Sequence, residues 1–128
     1  MFEKLEILQM AQAMASHAAL RQNAISQNVA NADTPGYAAR DVESFADTYD
    51  AAGDGQLKAT RPGHLGANGT FTAHEITRHD PGTMSPNGNS VSIEEEMVKG
   101  VEVKQQHDLA LAIYKSSMGI LRTSLGRT

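Results

Sequence analysis

The sequence predicts a mostly α fold: long N- and C-terminal helices forming an antiparallel coiled-coil hairpin around a small irregular middle segment. Two observations predict it. Apolar and small residues recur every three or four positions at both ends of the chain, the period of an amphipathic helix. Between them, Gly, Pro, Asn and Asp crowd the stretch from Arg61 to Asn89, where no such period survives. The expected organisation is a single domain over residues 1–128: an N-terminal helix (1–32), an elbow and irregular middle (33–91), and a C-terminal helix (92–128).

The first helix is marked by Leu5, Leu8, Ala11, Ala15, Ala18, Gln22, Ile25 and Val29. From about residue 3 to residue 32 such a helix spans about 45 Å, well beyond a compact domain of this mass. It must stop before Pro35, which lacks a backbone donor and drives Thr34 out of the α region. Pro35-Gly36 fits the centre of a type II turn, because Gly36 takes positive φ without steric cost. Asp33 is placed to brace that turn, and the ring of Tyr37 to fix the direction of exit.

In the middle, Val42, Phe45, Ala46 and Tyr49 have helical spacing and predict a short helix that Gly53-Asp54-Gly55 breaks. Thr70-Phe71-Thr72-Ala73 suggests a short strand. Asp80-Pro81-Gly82 and Pro86-Asn87-Gly88-Asn89 read as turns. A loop this long and polar is expected to be partly disordered in the free chain and to take its order from contacts with another subunit in the assembled state.

The last helix should open at Ser92 as its cap, with Glu95 reaching back and Glu94, Glu95 and Glu96 at the positive end of the dipole. Ile93, Met97, Gly100, Lys104, His107, Leu111, Tyr114, Met118, Leu121 and Leu125 trace one stripe along it, the spacing of a coiled coil. Both helices carry further apolar residues away from their main stripes, including Ile7, Met10, Met14 and Leu20 on the first and Val98, Leu109 and Ile113 on the second. A two-helix hairpin buries one side of each helix, so this surplus is expected to be covered by neighbouring copies or partner helices.

Composition excludes several chemistries. With no cysteine, disulfides, thiol catalysis and Cys-based metal sites are ruled out. A net charge of −4 without a basic cluster argues against nucleic-acid binding. No apolar run approaches a membrane span, and the N-terminus lacks the layout of a cleaved signal peptide. His74, Glu75 and His79 have the wrong spacing for a zinc-protease helix. Asp47, Asp50 and Asp54 lack the alternating ligands of a calcium loop, and no nucleophile elbow is present. The expectation is a protein with no catalytic, cofactor or metal site and no small-molecule substrate.

The elbow also carries a resemblance. Asn28, Ala30, Asn31, Thr34, Pro35, Gly36 and Tyr37 form Asn-x-Ala-Asn-x-x-Thr-Pro-Gly-Tyr, which resembles the signature of bacterial flagellar rod and hook proteins. Leu57 to Leu65, with Thr60, Pro62 and His64, is similar to the central segment of the proximal-rod members. Asn87 to Met97 is similar to their entry into the last helix, with Ser92 where that branch carries Asp and Gly63 softer than usual. The resemblance implies a structural subunit that polymerises through its terminal helices into a hollow, torque-transmitting shaft in the basal body. It also implies export by the type III route without a cleaved signal, into the periplasmic rod. Its implied partners are self copies, other rod proteins, the FliE junction protein and the MS ring. Assembly is expected to rest on Leu5, Leu8, Ile25 and Val29 of the first helix and on Leu111, Tyr114, Met118, Leu121 and Leu125 of the last. Another short rod protein, or a small acidic helical export chaperone or adaptor, is the alternative; a chaperone would fold stably alone.

Overall fold

The computed structural model describes residues 2–54, 75–77 and 84–126. Element order is α1 (Phe2–Ala30), β1 (Arg40–Val42), α2 (Phe45–Asp54), β2 (Glu75–Thr77) and α3 (Ile93–Ser124). α1 and α3 lie side by side and antiparallel, so that Asn28 near the end of α1 meets Glu96 near the start of α3, and Arg21 meets Glu102. The predicted hairpin is therefore the fold. Ala-rich sequence favours α1 intrinsically, and Pro35 stops it at Ala30, two residues before the expected end.

The seam of the hairpin differs from the expected one. On α1, Ala11, Ala18 and Ile25 are buried and Leu8 and Ala15 half-buried as expected, but towards the elbow the covered residues are Arg21 and Asn28 rather than Gln22 and Val29. On α3, the covered line is Glu96, Lys99, Val103, Gln106, Ala110, Ile113, Ser117 and Leu121. The apolar stripe read from the sequence lies one residue round from it, about 100° on the helix surface, and stays largely open: Met97 is 68% and Leu125 77% exposed. The reason is chemical. At the elbow end the seam is built of charged and amide side chains that satisfy one another, which a hydrophobic pattern reads as surface.

The apolar part of the seam is thin. Ala18, Ile25 and Val103 form its core cluster. A second face of α1 is covered by the β1–α2 corner, where His17 Nε2 donates to the Glu43 carbonyl at 2.7 Å and its ring stands edge-on to Phe45.

The middle holds more regular structure than expected. Val42 belongs to β1, which pairs antiparallel with β2 in the register Arg40↔Thr77, Asp41↔Ile76, Val42↔Glu75. α2 starts at Phe45 because Ser44 caps it, its hydroxyl accepting from the Asp47 N–H at 3.2 Å. α2 ends at Asp54, within the Gly53-Asp54-Gly55 stretch expected to break it. The suggested strand at residues 70–73, the Asp80-Pro81-Gly82 turn, the Thr60 to Leu65 segment, His74 and His79 fall outside the described residues. The turn before Asn89 is present: the Gly88 N–H donates to the Ser85 carbonyl at 2.8 Å with Gly88 at φ +79°.

At the start of α3, Ser92 is the cap as predicted, its hydroxyl accepting from the Glu95 N–H. The carboxylate it meets is that of Glu94 at 3.1 Å, not the expected Glu95. Because the seam offers so few large apolar groups, Ile25→Ala should cost about 2 kcal/mol, the low end for such truncations, read from the urea midpoint of unfolding followed by circular dichroism.

Candidate functional site: the elbow and its polar lock

The turn forms as its residues dictate. The Tyr37 N–H donates to the Thr34 carbonyl at 3.3 Å across Pro35-Gly36, and Gly36 sits at φ +70°, the left-handed conformation that a type II turn demands at its third position. Thr34 is tied back to α1 by its hydroxyl, which donates to Asn31 Oδ1 at 3.2 Å. Asn31, rather than the expected Asp33, makes that side-chain contact. Asp33 is exposed.

Asn28 is the centre of the site. It is fully buried, and every polar position on its carboxamide is used. Nδ2 donates to the Arg40 carbonyl at 2.7 Å and to Glu96 Oε2 at 3.0 Å. Oδ1 accepts from the Arg40 N–H at 2.9 Å and from the Tyr37 hydroxyl at 3.5 Å. The amide thus meets the backbone of β1 as a neighbouring strand would, while its second N–H reaches α3. One residue joins three elements.

A charged layer surrounds it. Lys99 Nζ lies 2.8 Å from Glu96 Oε1 and 3.6 Å from Asp41 Oδ2, and Arg21 Nε lies 3.2 Å from Asp41 Oδ1. Asp41 Oδ1 also accepts from the Val42 N–H at 2.8 Å. Burial alone would raise the Asp41 carboxyl, but the Val42 N–H and the Arg21 and Lys99 cations outweigh it and hold it below its usual 3.8.

Asn89 closes the elbow from the other side, and sequence reasoning missed its role. Its buried Nδ2 points at the carbonyls of Asn31, Ala32 and Thr34, at 2.9, 2.8 and 2.8 Å. Those carbonyls lie just beyond the last residue of α1, in the elbow turn. Further bonds join the two segments, from Gly36 N to Asn87 O at 3.0 Å, from Ser90 N to Tyr37 O at 3.1 Å and from Ala39 N to Ser90 Oγ at 2.8 Å. Nothing local in the sequence distinguishes Asn89 from the turn that precedes it, because its acceptors lie more than fifty residues away.

Of the residues expected to carry assembly, Ile25 is buried in the hairpin, while Leu8 and Leu121 are half-covered. Val29, Leu111, Tyr114, Met118 and Leu125 are exposed. The side chain of Leu5 lies outside the described residues. Ala30 is exposed at the last position of α1. Among the described residues no three His, Asp or Glu side chains converge as a metal site would need, and no helix is long and apolar enough to cross a membrane.

Comparison with known proteins points to the same segment. Residues 8–37, most of α1 and the whole elbow, match the family described as flagella basal body rod protein. Over 119 residues the chain is 33% identical to the flagellar basal body rod protein FlgB of Agrobacterium fabrum, covering 89% of this chain and 88% of that one. It is 33% identical over 105 residues to FlgB of Cereibacter sphaeroides, covering 82% of each chain. To FlgB of Escherichia coli it is 29% identical over 117 residues, 82% of this chain and 85% of the relative.

Two predictions come from the lock. Asn28→Asp removes both N–H donors and sets a second carboxylate against Glu96. It should destabilise the fold by about 3 kcal/mol in urea titrations. A carboxylate held low stabilises the fold above its unfolded value and loses that contribution as pH falls through its folded value. The stability gap between the native chain and Asp41→Asn should therefore be widest above the usual 3.8 and close below it, as read from denaturation midpoints across an acid series.

Proposed function

The chain belongs to the FlgB family of flagellar basal body rod proteins, and from that premise we propose that it is a structural subunit of the proximal rod, polymerising through α1 and α3 into part of the hollow shaft that transmits torque. Residues 1–128 act as one rod-protein domain. The observation that carries the reading is the open apolar line on α3. Met97, Leu111, Tyr114, Met118 and Leu125 lie outside the hairpin at coiled-coil spacing, and a helix with apolar residues beyond its own seam is completed by other helices.

On this reading the expected assembly residues divide. Ile25, Leu8 and Leu121 serve the hairpin; Val29, Leu111, Tyr114, Met118 and Leu125 serve contacts with neighbours. Those neighbours are self copies and other rod proteins, with the FliE junction protein and the MS ring at the base. The elbow residues Asn28, Ala30, Asn31, Thr34, Pro35, Gly36 and Tyr37 fix how the middle segment leaves the helices and so where it lies on an adjacent subunit. The work is mechanical, and no catalytic step is assigned. The subunit reaches the periplasmic rod by the type III export route.

Met118→Asp tests the reading. Met118 is 42% exposed, so the hairpin should keep its circular dichroism spectrum. Desolvating the new charge between subunits should cut incorporation into basal bodies about tenfold or more, the factor that 1.4 kcal/mol supplies. Normal incorporation and normal swimming of the variant would remove the α3 line from the assembly.

A further inference from the structure

We propose that the buried Asn28–Glu96 contact, with Lys99 beside it, selects which α3 helix pairs with α1 and in which register, so that each hairpin closes within its own chain. Apolar packing makes that choice poorly here. The seam core is Ala18, Ile25 and Val103, with Ala11 and Ala110 farther along, and all but Ile25 and Val103 are alanines. Small side chains repeated at heptad spacing pack nearly as well after a shift of seven residues. α3 also presents its open line of Met97, Leu111, Met118 and Leu125, at the same seven-residue multiples, to the α1 of any other copy.

The polar lock discriminates where the apolar contacts do not. Sliding α3 by seven residues puts Val103 opposite Asn28 in place of Glu96. The buried amide then keeps its bonds to Arg40 but loses the acceptor for its second N–H. Glu96 and Lys99 move together, so Lys99 also leaves Asp41. Docking α1 on the open line instead offers Met97 at that level, which cannot replace a carboxylate. A polar pair inside a coiled-coil seam acts in this way: it penalises the wrong pairings more than it favours the right one. The inference concerns a single hairpin in solution and does not depend on assembly into a rod.

The native chain has no cysteine, so two introduced ones report without background. Ala18→Cys and Val103→Cys, neighbours in the seam core, are placed in the full chain and oxidised at high dilution. The otherwise native protein should give a monomer with an intrachain disulfide. Adding Glu96→Leu and Lys99→Leu leaves Asn28 its Arg40 bonds and makes the start of α3 apolar. Helical circular dichroism should persist while the interchain-linked dimer rises about tenfold, equivalent to 1.4 kcal/mol of lost selectivity. Glu96→Gln with Lys99→Met keeps a carbonyl acceptor for Asn28 and should restore the intrachain product. The proposal is overturned if the leucine variant remains an intrachain monomer, or if it loses its helical signal, since the pair would then hold the fold rather than choose it. Interchain dimer from the otherwise native protein would overturn it as well.

Discussion

The hydrogen bond between Asn28 and Glu96 is the constraint that sets how the other elements are placed. It joins the last turn of α1 to the first turn of α3, residues 68 apart in sequence. The same amide holds the backbone of Arg40, so the direction of β1 is fixed in the same place. Once those three elements meet, Asp41 falls between Arg21 and Lys99, and β1 can present its other edge to β2. An apolar residue of the same size at position 28 could fill the space. It could not report on the backbone of one element and the side chain of another at once.

Such a layer is an unusual way to hold a hairpin. Taking Glu96, Asp41 and Lys99 out of water is costly, and a well-packed apolar layer would often be at least as stable. The cost is limited because each charge has a close partner, and because Asn28 and the Val42 N–H supply the remaining bonds. On the opposite side of the elbow, Asn89 offers its amide donors to carbonyls of the turn that follows α1. The two asparagines face the turn from different segments and leave the chain one way out of α1.

The hairpin therefore has two kinds of helical surface. Its internal seam is narrow, alanine-rich and polar at the elbow. Its external line on α3 is made of larger apolar residues, with Lys104 and His107 exposed at the centre. In most small proteins the larger residues face inward. Here they stay exposed, and the proposed packing between subunits rests on that arrangement.

The sequence alone determined the helices, the place where α1 stops, the type II turn and the Ser92 cap. Each follows from local rules: helical period, the missing donor of Pro35, the positive φ open to Gly36, and a hydroxyl one residue before the helix. The elbow motif likewise identified the family, because it is contiguous. Tertiary structure alone decided which face of α3 is inside and which residues line the elbow end of the seam. Arg21, Asn28, Glu96 and Lys99 carry the marks of solvent-exposed residues when read singly, and become interior only when their partners arrive from distant segments. Asn89 and β1 were hidden for the same reason. A hydrophobic pattern measures what avoids water, and this seam is held at one end by groups that have exchanged water for each other.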